Sequence, residues 1–158
     1  MIAIIAAYDK NRAIGKNGKI PWNIPGEMDR FRDLTTGNTV IMGRLTYEEI
    51  GKPLKNRDNI VISKTKIFSG ENLRTVSSLS EALHICKTED IFIAGGEKLF
   101  AEALPLCEKL FITEIHGDFE GDRFFPDFDK SLFYCQTEKI VGGNIPYTYL
   151  TYTRKTFE

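Results

Sequence analysis

Short apolar runs alternate with helical patterns along the chain up to Leu106, which is typical of an α/β fold. The runs are rich in β-branched residues and too short for buried helices, so they predict strands. The predicted strands are Ile2–Ala7, Thr39–Met42, Asn59–Ser63, Leu73–Val76 and Ile91–Ala94. Spacing by three and four predicts helices at Pro25–Thr35, Leu45–Ile50, Leu79–Lys87 and Glu97–Leu104. The third of these helices begins with a capping box formed by Ser78 and Glu81.

After Leu106 the pattern changes to longer strands. We predict strands at Lys109–His116, Leu132–Val141 and Tyr147–Thr156, with Gly142-Gly143-Asn144 joining the last two. The alternation of residues in the last strand favours an antiparallel hairpin. No repeat or linker divides the 158 residues, so we predict one domain over residues 1–158. Its sheet should be mixed, parallel early in the chain and antiparallel late.

Charge and composition exclude several classes of function. Lys and Arg total 21 against 22 Asp and Glu, a balance that does not indicate a nucleic-acid partner. The apolar run Met1–Ala7 is too short to cross a bilayer and lacks the basic leader of a signal peptide. We therefore expect no membrane association and a cytoplasmic location.

Cysteines and histidines give no indication of a metal or disulfide site. Cys86, Cys107 and Cys135 are odd in number and widely spaced, which favours buried free thiols in a reducing compartment. His84 and His116 are far apart and lack nearby partners at metal-ligand spacing. We therefore predict no metal ion.

Glu27 is the most informative single residue, because it falls within the apolar stripe of the first predicted helix. If that helix begins at Pro25, then Glu27, Phe31 and Leu34 lie on one side of it, with Met28 beside them. Burying a carboxylate there is costly, and no Lys or Arg lies on the stripe. A ligand with paired N–H donors would compensate the charge. A glutamate near a helix N-terminus is also favoured by the helix dipole alone, so position by itself leaves both readings open.

Three predicted strands end in segments suited to anions. Parallel sheets bind ligands outside the carboxyl ends of their strands, where glycines allow close approach and helices offer free N–H groups. Each segment taken alone favours an ordinary turn or strand-to-helix connection. Together, with their basic side chains, they indicate a nucleotide carrying several phosphates. The segments are Gly43-Arg44-Leu45-Thr46, Ser63-Lys64-Thr65 and Gly95-Gly96-Glu97-Lys98.

The connection between Ala7 and Trp22 is long for a compact domain and contains two glycines. Such a segment is either a mobile cover that excludes water from a site or a solvated loop. The segment leads directly to Glu27, which favours a cover. A solvated loop is the alternative interpretation.

Taken together, these motifs resemble the dihydrofolate reductase family over nearly the whole chain. The resemblance implies a central eight-stranded mixed sheet with a parallel core, an antiparallel C-terminal hairpin and flanking helices. It also implies NADPH-dependent reduction of 7,8-dihydrofolate to tetrahydrofolate for one-carbon metabolism. The family's enzyme would be a monomer without an obligate protein partner, and antifolate inhibitors would bind it. The motifs are Ile14-Gly15 through Pro21-Trp22, Pro25-Gly26-Glu27, Val40-Ile41-Met42-Gly43-Arg44-Leu45-Thr46-Tyr47, Ile93-Ala94-Gly95-Gly96 and Glu120-Gly121-Asp122.

The resemblance implies a set of substrate and catalytic residues. Glu27 would bind the pterin's 2-amino group and adjacent ring nitrogen, Thr113 would orient that carboxylate, and Trp22 would hold an ordered water. Arg57 would bind the substrate's α-carboxylate through its planar fork. The other implied substrate contacts are Ile5, Ala6, Met28, Phe31, Ile50 and Leu54 around the rings, with Arg32 and Lys52 at the glutamate tail.

The implied NADPH site falls into three parts. Residues at the nicotinamide would be Ala7, Ile14, Gly15, Gly18, Lys19 and Ala94. Residues at the pyrophosphate would be Gly95, Gly96, Glu97, Lys98, Leu99 and Phe100. Residues at the adenosine half would be Gly43, Arg44, Leu45, Thr46, Ile62, Ser63 and Lys64.

Two positions depart from the family's common pattern. Glu27 stands where many bacterial members have Asp, so the carboxylate is kept but its reach changes. Ala94 is smaller than the usual Ile or Val before the glycine pair, which affects packing around the nicotinamide. Two other functions are compatible with the residues: a related NADPH-dependent pyrimidine reductase of riboflavin synthesis, and a non-catalytic nucleotide- or flavin-binding module.

Overall fold

The computed structural model of the protein describes residues 1–156. The strands in that range are β1 (Ile2–Tyr8), β2 (Ala13–Gly15), β3 (Thr39–Gly43), β4 (Asp58–Ile62), β5 (Leu73–Val76), β6 (Ile91–Ile93), β7 (Lys109–Ile115), β8 (Arg123–Phe124), β9 (Phe133–Val141) and β10 (Tyr147–Arg154). The helices are α1 (Asp29–Thr35), α2 (Arg44–Ile50), α3 (Leu79–Ile85) and α4 (Glu97–Ala103), with 3₁₀ turns at Leu104–Leu106 and Lys130–Leu132.

Eight strands form one mixed sheet in the order β5-β4-β3-β6-β1-β7-β10-β9. The first six strands in this order, β5 through β7, are all parallel to one another. Strand β10 is antiparallel to both of its neighbours, β7 and β9. In the centre, Ile4 of β1 lies opposite Ile93 of β6 and Leu110 of β7. The predicted fold class is confirmed.

The two faces of the sheet bury different layers, because successive side chains of a strand point to opposite faces. On one face, Ile4 and Ile93 are fully buried with Leu99 of α4. On the other face, the cluster around Ile5 packs against Phe31 of α1. Helix α1 and the turn before it therefore lie on the opposite side of the sheet from α4.

The predicted start of the first helix at Pro25 was wrong. Gly26 has a φ of +83°, a left-handed conformation that glycine adopts readily but that a right-handed helix does not contain. The Glu27 N–H donates to the Ile24 carbonyl and the Asp29 N–H to the Gly26 carbonyl, each at 3.2 Å. The helix begins at Asp29, so Glu27 lies in a turn rather than on a helical stripe.

The strand predicted at Leu73–Val76 agrees with the structure at both ends. Apart from the first helix, the other predicted elements differ from it by one or two residues at their ends, where helices and strands are hardest to delimit. The capping box before α3 forms only in part. Ser78 Oγ accepts from the Glu81 N–H at 3.1 Å, as predicted. The Glu81 carboxylate, however, accepts from Ser77 at 3.1 Å and not from the Ser78 N–H.

Two short strands, β2 and β8, were not predicted. They pair antiparallel, with Ala13 opposite Phe124 and Gly15 opposite Arg123. The Asp122 N–H also donates to the Gly15 carbonyl at 2.8 Å. Because β2 belongs to the connection between β1 and Trp22, part of the predicted cover is held to the loop before β8.

Gly121 lies where this pairing leaves no room for a side chain. A Cβ atom there would lie 2.6 Å from Ala13 Cβ and 2.7 Å from the Gly15 carbonyl oxygen. We expect Gly121→Val to lower the free energy of unfolding by about 1–3 kcal/mol through overpacking, and to lower turnover because the cover shifts. Chemical denaturation and steady-state assays measure both. Gly142→Val is the matched control, since a Cβ at Gly142 meets nothing within 4 Å, and equal losses in the two variants would contradict the clash.

The cysteines differ in burial. Cys107 is buried and Cys86 is half-buried, but Cys135 on β9 is exposed, so the prediction of buried thiols was wrong for Cys135. Burial raises the pKa of the Cys107 thiol to about 12. Within residues 1–156, no group of three His, Cys, Asp or Glu side chains is placed to hold a metal ion. No helix of the same residues has the length and apolar character needed to cross a membrane.

Candidate active site

A cleft opens at the sheet edge where the carboxyl ends of β3 and β6 meet. It has a narrow inner part of 120 Å³ and an outer part of 480 Å³, and Thr46 and Gly96 line both. The inner part is lined by Ala6, Ala7, Ile14, Ile20, Trp22, Glu27, Thr46, Glu49, Ala94, Gly95, Gly96 and Phe100. The outer part is lined by Gly43, Arg44, Leu45, Thr46, Ile62, Gly96, Glu97, Lys98, Leu99, Glu102 and Arg123. The structure therefore brings all of the predicted pyrophosphate residues, most of the adenosine residues and half of the nicotinamide residues to the walls of this cleft. Of the predicted residues around the pterin, only Ala6, Trp22 and Glu27 line it.

Glu27 is only 6% exposed and lines the inner part of the cleft. Its backbone carbonyl accepts a hydrogen bond from the Tyr149 hydroxyl at 3.1 Å, which fixes the turn against β10. Burial raises the pKa of the Glu27 carboxyl, and the nearby Trp22 indole opposes this rise. No Lys or Arg of residues 1–156 forms an ion pair with Glu27. Its carboxyl is thus suited to hold a proton or to bind N–H donors of a ligand.

Trp22 borders the same part of the cleft and is 8% exposed. Its ring packs edge-on against Phe119, with centroids 5.6 Å apart. Trp22 Nε1 lies near enough to Glu27 to influence its pKa, but it does not reach hydrogen-bonding geometry and has no partner among the described residues. An unpaired buried N–H costs about 1–3 kcal/mol, so this donor is available to a group bound in the cleft.

Thr113 lies on β7, directly opposite Ala7 on one side and Tyr149 on the other. It is 6% exposed. Tyr149, its partner on β10, contacts the turn that carries Glu27. Within residues 1–156, however, no hydrogen bond joins the Thr113 hydroxyl to the Glu27 carboxylate. The orienting role of Thr113 therefore stays a prediction.

Arg57 lies at the far end of α1 from Glu27. Its Nε donates to the Lys55 carbonyl at 2.8 Å and its Nη1 donates to Thr35 Oγ1 at 3.3 Å. Burial, followed by the repulsion of Arg32, lowers the pKa of the Arg57 guanidinium. Arg32 itself is exposed and pairs with Asp29 at 3.5 Å. Two cations therefore lie close together at this end of the helix.

Other predicted substrate residues lie along α1 and the sheet face beneath it. Phe31, in the middle of α1, packs against the cluster that includes Ile5 and the cluster that Leu54 joins. Met28 and Ile50 are 49% and 37% exposed, so both side chains are accessible to a ligand. Lys52 is also exposed, but it forms no hydrogen bond or ion pair within the described part of the chain.

On the cofactor side, the ends of β3 and β6 approach each other closely. The Gly43 N–H donates to the Gly95 carbonyl at 2.8 Å. Gly95 has a φ of +127°, and a Cβ atom there would lie 3.3 Å from Thr46 Oγ1. The positive φ favours glycine at position 95, and the close Thr46 hydroxyl leaves little room for a side chain. Helix α4 begins at Glu97, and the residues of its first turn, Glu97, Lys98 and Leu99, line the outer cleft.

Several predicted cofactor residues lie outside the cleft. Ser63 and Lys64 line a separate groove of 390 Å³ together with Lys66. Gly15, Gly18 and Lys19 belong to the covering segment but line neither part of the cleft. The structure thus does not bring these five residues to the cleft walls with the others.

Four lining residues were not predicted: Ile20, Glu49, Glu102 and Arg123. Glu49 Oε1 accepts a hydrogen bond from the Ile20 N–H at 2.7 Å, which joins the covering segment to α2. Helical spacing would have found Glu49, three residues after Thr46, and Glu102, three after Leu99. No sequence pattern distinguishes Ile20 or Arg123.

Comparison with known proteins agrees with this geometry. The family model for dihydrofolate reductase matches residues 1–154. The chain is 40% identical to the dihydrofolate reductase of Bacillus subtilis (strain 168), covering 98% of this chain and 95% of that protein. It is 39% identical to dihydrofolate reductase type A13 of Escherichia coli, covering 98% and 94%. The structure of dihydrofolate reductase from Enterococcus faecalis complexed with NADP(H) and RAB-propyl is similar, with a TM-score of 0.86 and 36% identity over 99% of this chain and 97% of that one. The chain belongs to the dihydrofolate reductase family.

Proposed function

We propose that the protein reduces 7,8-dihydrofolate to 5,6,7,8-tetrahydrofolate with NADPH. The observation that carries this proposal is a buried glutamate, Glu27, that lines a cleft and has no cationic partner in residues 1–156. Membership of the family over residues 1–154 supports it. The relatives described above are all dihydrofolate reductases, so the pyrimidine reductase alternative has no support.

The residues of the outer cleft fit NADPH. Arg44 and Lys98 line this part of the cleft and supply positive charge for the phosphates. The buried, unpaired Trp22 N–H indicates that the inner part receives a polar group. When bound, NADPH supplies the hydride that reduces the pterin. The proposed cofactor contacts are Ala7, Ile14, Gly15, Gly18, Lys19, Gly43, Arg44, Leu45, Thr46, Ile62, Ser63, Lys64, Ala94, Gly95, Gly96, Glu97, Lys98, Leu99 and Phe100.

The chain's own residues bind and orient the substrate and supply its proton. Glu27 binds the pterin's amino group and, because burial raises its pKa, retains a proton at a higher pH than an exposed glutamate does. It promotes protonation at N5 of the pterin, with Trp22 and Thr113 as its neighbours. The apolar walls exclude water, which keeps the reacting groups in place. The proposed substrate contacts are Ile5, Ala6, Met28, Phe31, Arg32, Ile50, Lys52, Leu54 and Arg57.

An assay of NADPH oxidation on addition of dihydrofolate tests the function directly. We expect oxidation that depends on both ligands. Binding of NADPH without oxidation would indicate a non-catalytic module instead, and a yellow purified protein would indicate a flavin carrier. Antifolate inhibitors should compete with dihydrofolate in the same assay.

Arg44 and Lys64 should determine preference for NADPH over NADH, since only NADPH carries a 2′-phosphate. A charge-assisted contact is worth about 1.5–3 kcal/mol when desolvated, and less at an exposed site. We expect Arg44→Gln with Lys64→Gln to reduce the ratio of the two kcat/KM values by about tenfold. Steady-state kinetics with each cofactor measures this ratio. Equal use of both cofactors by the unaltered enzyme would contradict the assignment.

We further infer that residues 1–158 act as one domain and that the protein works as a monomer in the cytoplasm. Phe157 and Glu158 lie outside the described residues. The domain assignment is supported by the alignment, which covers 98% of this chain and 95% and 94% of the two relatives. Light scattering on the purified protein measures its mass in solution, and a stable dimer would contradict the monomer.

A further inference from the structure

We propose that Glu48 and Lys66 set the strength of the preference for a cofactor with a 2′-phosphate, with Glu48 acting as an internal anion that this phosphate displaces. The proposal rests on the proposed function, because it assumes that NADPH occupies the outer cleft. In this proposal Lys66 is a further cation that binds the 2′-phosphate, and Glu48 limits the affinity of the protein for that phosphate.

Glu48 joins two cations through a single oxygen atom. Its Oε1 accepts a hydrogen bond from Arg44 Nη1 at 2.9 Å and from Lys66 Nζ at 3.3 Å. Arg44 lines the outer cleft, whereas Lys66 lines the neighbouring groove with Ser63 and Lys64. The Glu48 carboxylate therefore links a residue of the outer cleft to a residue of the groove. Through Glu48, Lys66 of the groove is therefore connected to Arg44 of the cleft.

An anionic oxygen held between a guanidinium and an ammonium marks a place that suits other anionic oxygens as well. A phosphate monoester carries up to two charges and three acceptor oxygens, so it satisfies the same donors more fully than one carboxylate oxygen does. Arg44 contacts Glu48 through Nη1 only, which leaves the rest of its planar fork for the phosphate. The two cations lower the pKa of Glu48, so Glu48 is charged when the phosphate arrives.

The exposure of the three side chains permits this exchange. The side chains of Arg44 and Glu48 are 32% and 34% exposed, and that of Lys66 is 61% exposed. Ion pairs at such exposure are weak and rearrange easily. Lys64 forms no ion pair within the described residues, so Lys66 is the lysine of this loop that already lies beside Arg44. Removing the negative charge of Glu48 should therefore strengthen phosphate binding, because the phosphate no longer competes with Glu48 for Arg44 and Lys66.

Dissociation constants of NADPH and NADH, followed by fluorescence of the single tryptophan, test the proposal. We expect Glu48→Gln to tighten NADPH binding by about three- to fivefold, the effect of an exposed charge pair, and to leave NADH binding unchanged. We expect Lys66→Met to weaken NADPH binding by a similar factor, again without an effect on NADH. Glu71→Gln is the matched control for charge, since Glu71 is exposed and precedes β5, at the sheet edge away from the cleft.

Weaker or unchanged NADPH binding in Glu48→Gln would overturn the proposal, because Glu48 would then orient Arg44 rather than compete for it. Equal effects of Lys66→Met on both cofactors would also overturn it. Failure of the proposed function has a different result: the unaltered protein would not oxidise NADPH with dihydrofolate. Normal turnover with the wrong response to Glu48→Gln therefore rejects this inference alone.

Discussion

Glu27→Gln should lower the turnover of dihydrofolate by about 10²–10⁴-fold, the usual contribution of general acid–base catalysis. Glutamine keeps the size of the side chain and one carbonyl acceptor, but it cannot carry the proton that N5 of the pterin requires. Because the cleft walls are unchanged, folate binding should weaken much less than turnover falls. Single-turnover kinetics with NADPH and dihydrofolate, alongside folate titration, separates the two effects.

The matched control for this substitution is Glu71→Gln, which makes the same chemical change at an exposed position away from the cleft. It should retain normal turnover and folate binding. If Glu27→Gln turned over dihydrofolate at a near-normal rate at neutral pH, Glu27 would have no role in protonation.

The raised pKa of Glu27 determines the sign of the pH dependence. Burial raises this pKa, and the neutral acid is the active form, so the rate of hydride transfer should fall as pH rises through the raised pKa. Burial penalises the charged carboxylate but not the neutral acid. The folded protein is therefore more stable at low pH, where Glu27 is neutral, and this advantage is lost as pH rises through the folded-state pKa. We therefore expect Glu27→Gln to flatten the pH profile of the residual rate. The free energy of unfolding of the Glu27→Gln variant should also rise relative to that of the unaltered protein as pH increases.

Sequence patterns were sufficient for the main sheet because burial dictates composition there. Ile4, Ile41 and Ile93 are fully buried on neighbouring parallel strands, and such strands must be apolar over most of their length. The strands β2 and β8 escaped prediction because they span three and two residues, which is too short for any periodicity to appear. Their pairing depends on contacts between segments far apart in the chain.

The prediction for Glu27 was correct in burial but wrong in its structural reason. The expected helical stripe would bury Glu27 next to Phe31, whereas the structure buries it in a turn that Gly26 allows and Tyr149 fixes. The contact with Tyr149 joins positions far apart in the sequence, so spacing within a helix could not reveal it. The same limit explains why the pairing of Glu48 with Lys66 was not predicted.

Arg57→Leu should weaken dihydrofolate binding by about 2–3 kcal/mol, or roughly 30- to 150-fold, while hydride transfer from the saturated enzyme changes much less. Arg57 is held in place by the Lys55 carbonyl and Thr35 Oγ1, so its remaining N–H donors are oriented before the substrate binds. Leucine removes both the charge and the planar fork. Substrate titration and single-turnover rates measure the two quantities separately.

A folate analogue that lacks the glutamate tail distinguishes recognition from damage to the fold. If Arg57 binds the α-carboxylate, Arg57→Leu should bind this analogue as well as the unaltered protein does, because the contact is missing in both. Arg32→Leu should have a smaller effect on dihydrofolate, since Arg32 is exposed and already paired with Asp29. An equal loss of affinity for dihydrofolate and for the analogue would mean that the substitution disturbs α1, and that Arg57 does not recognise the carboxylate.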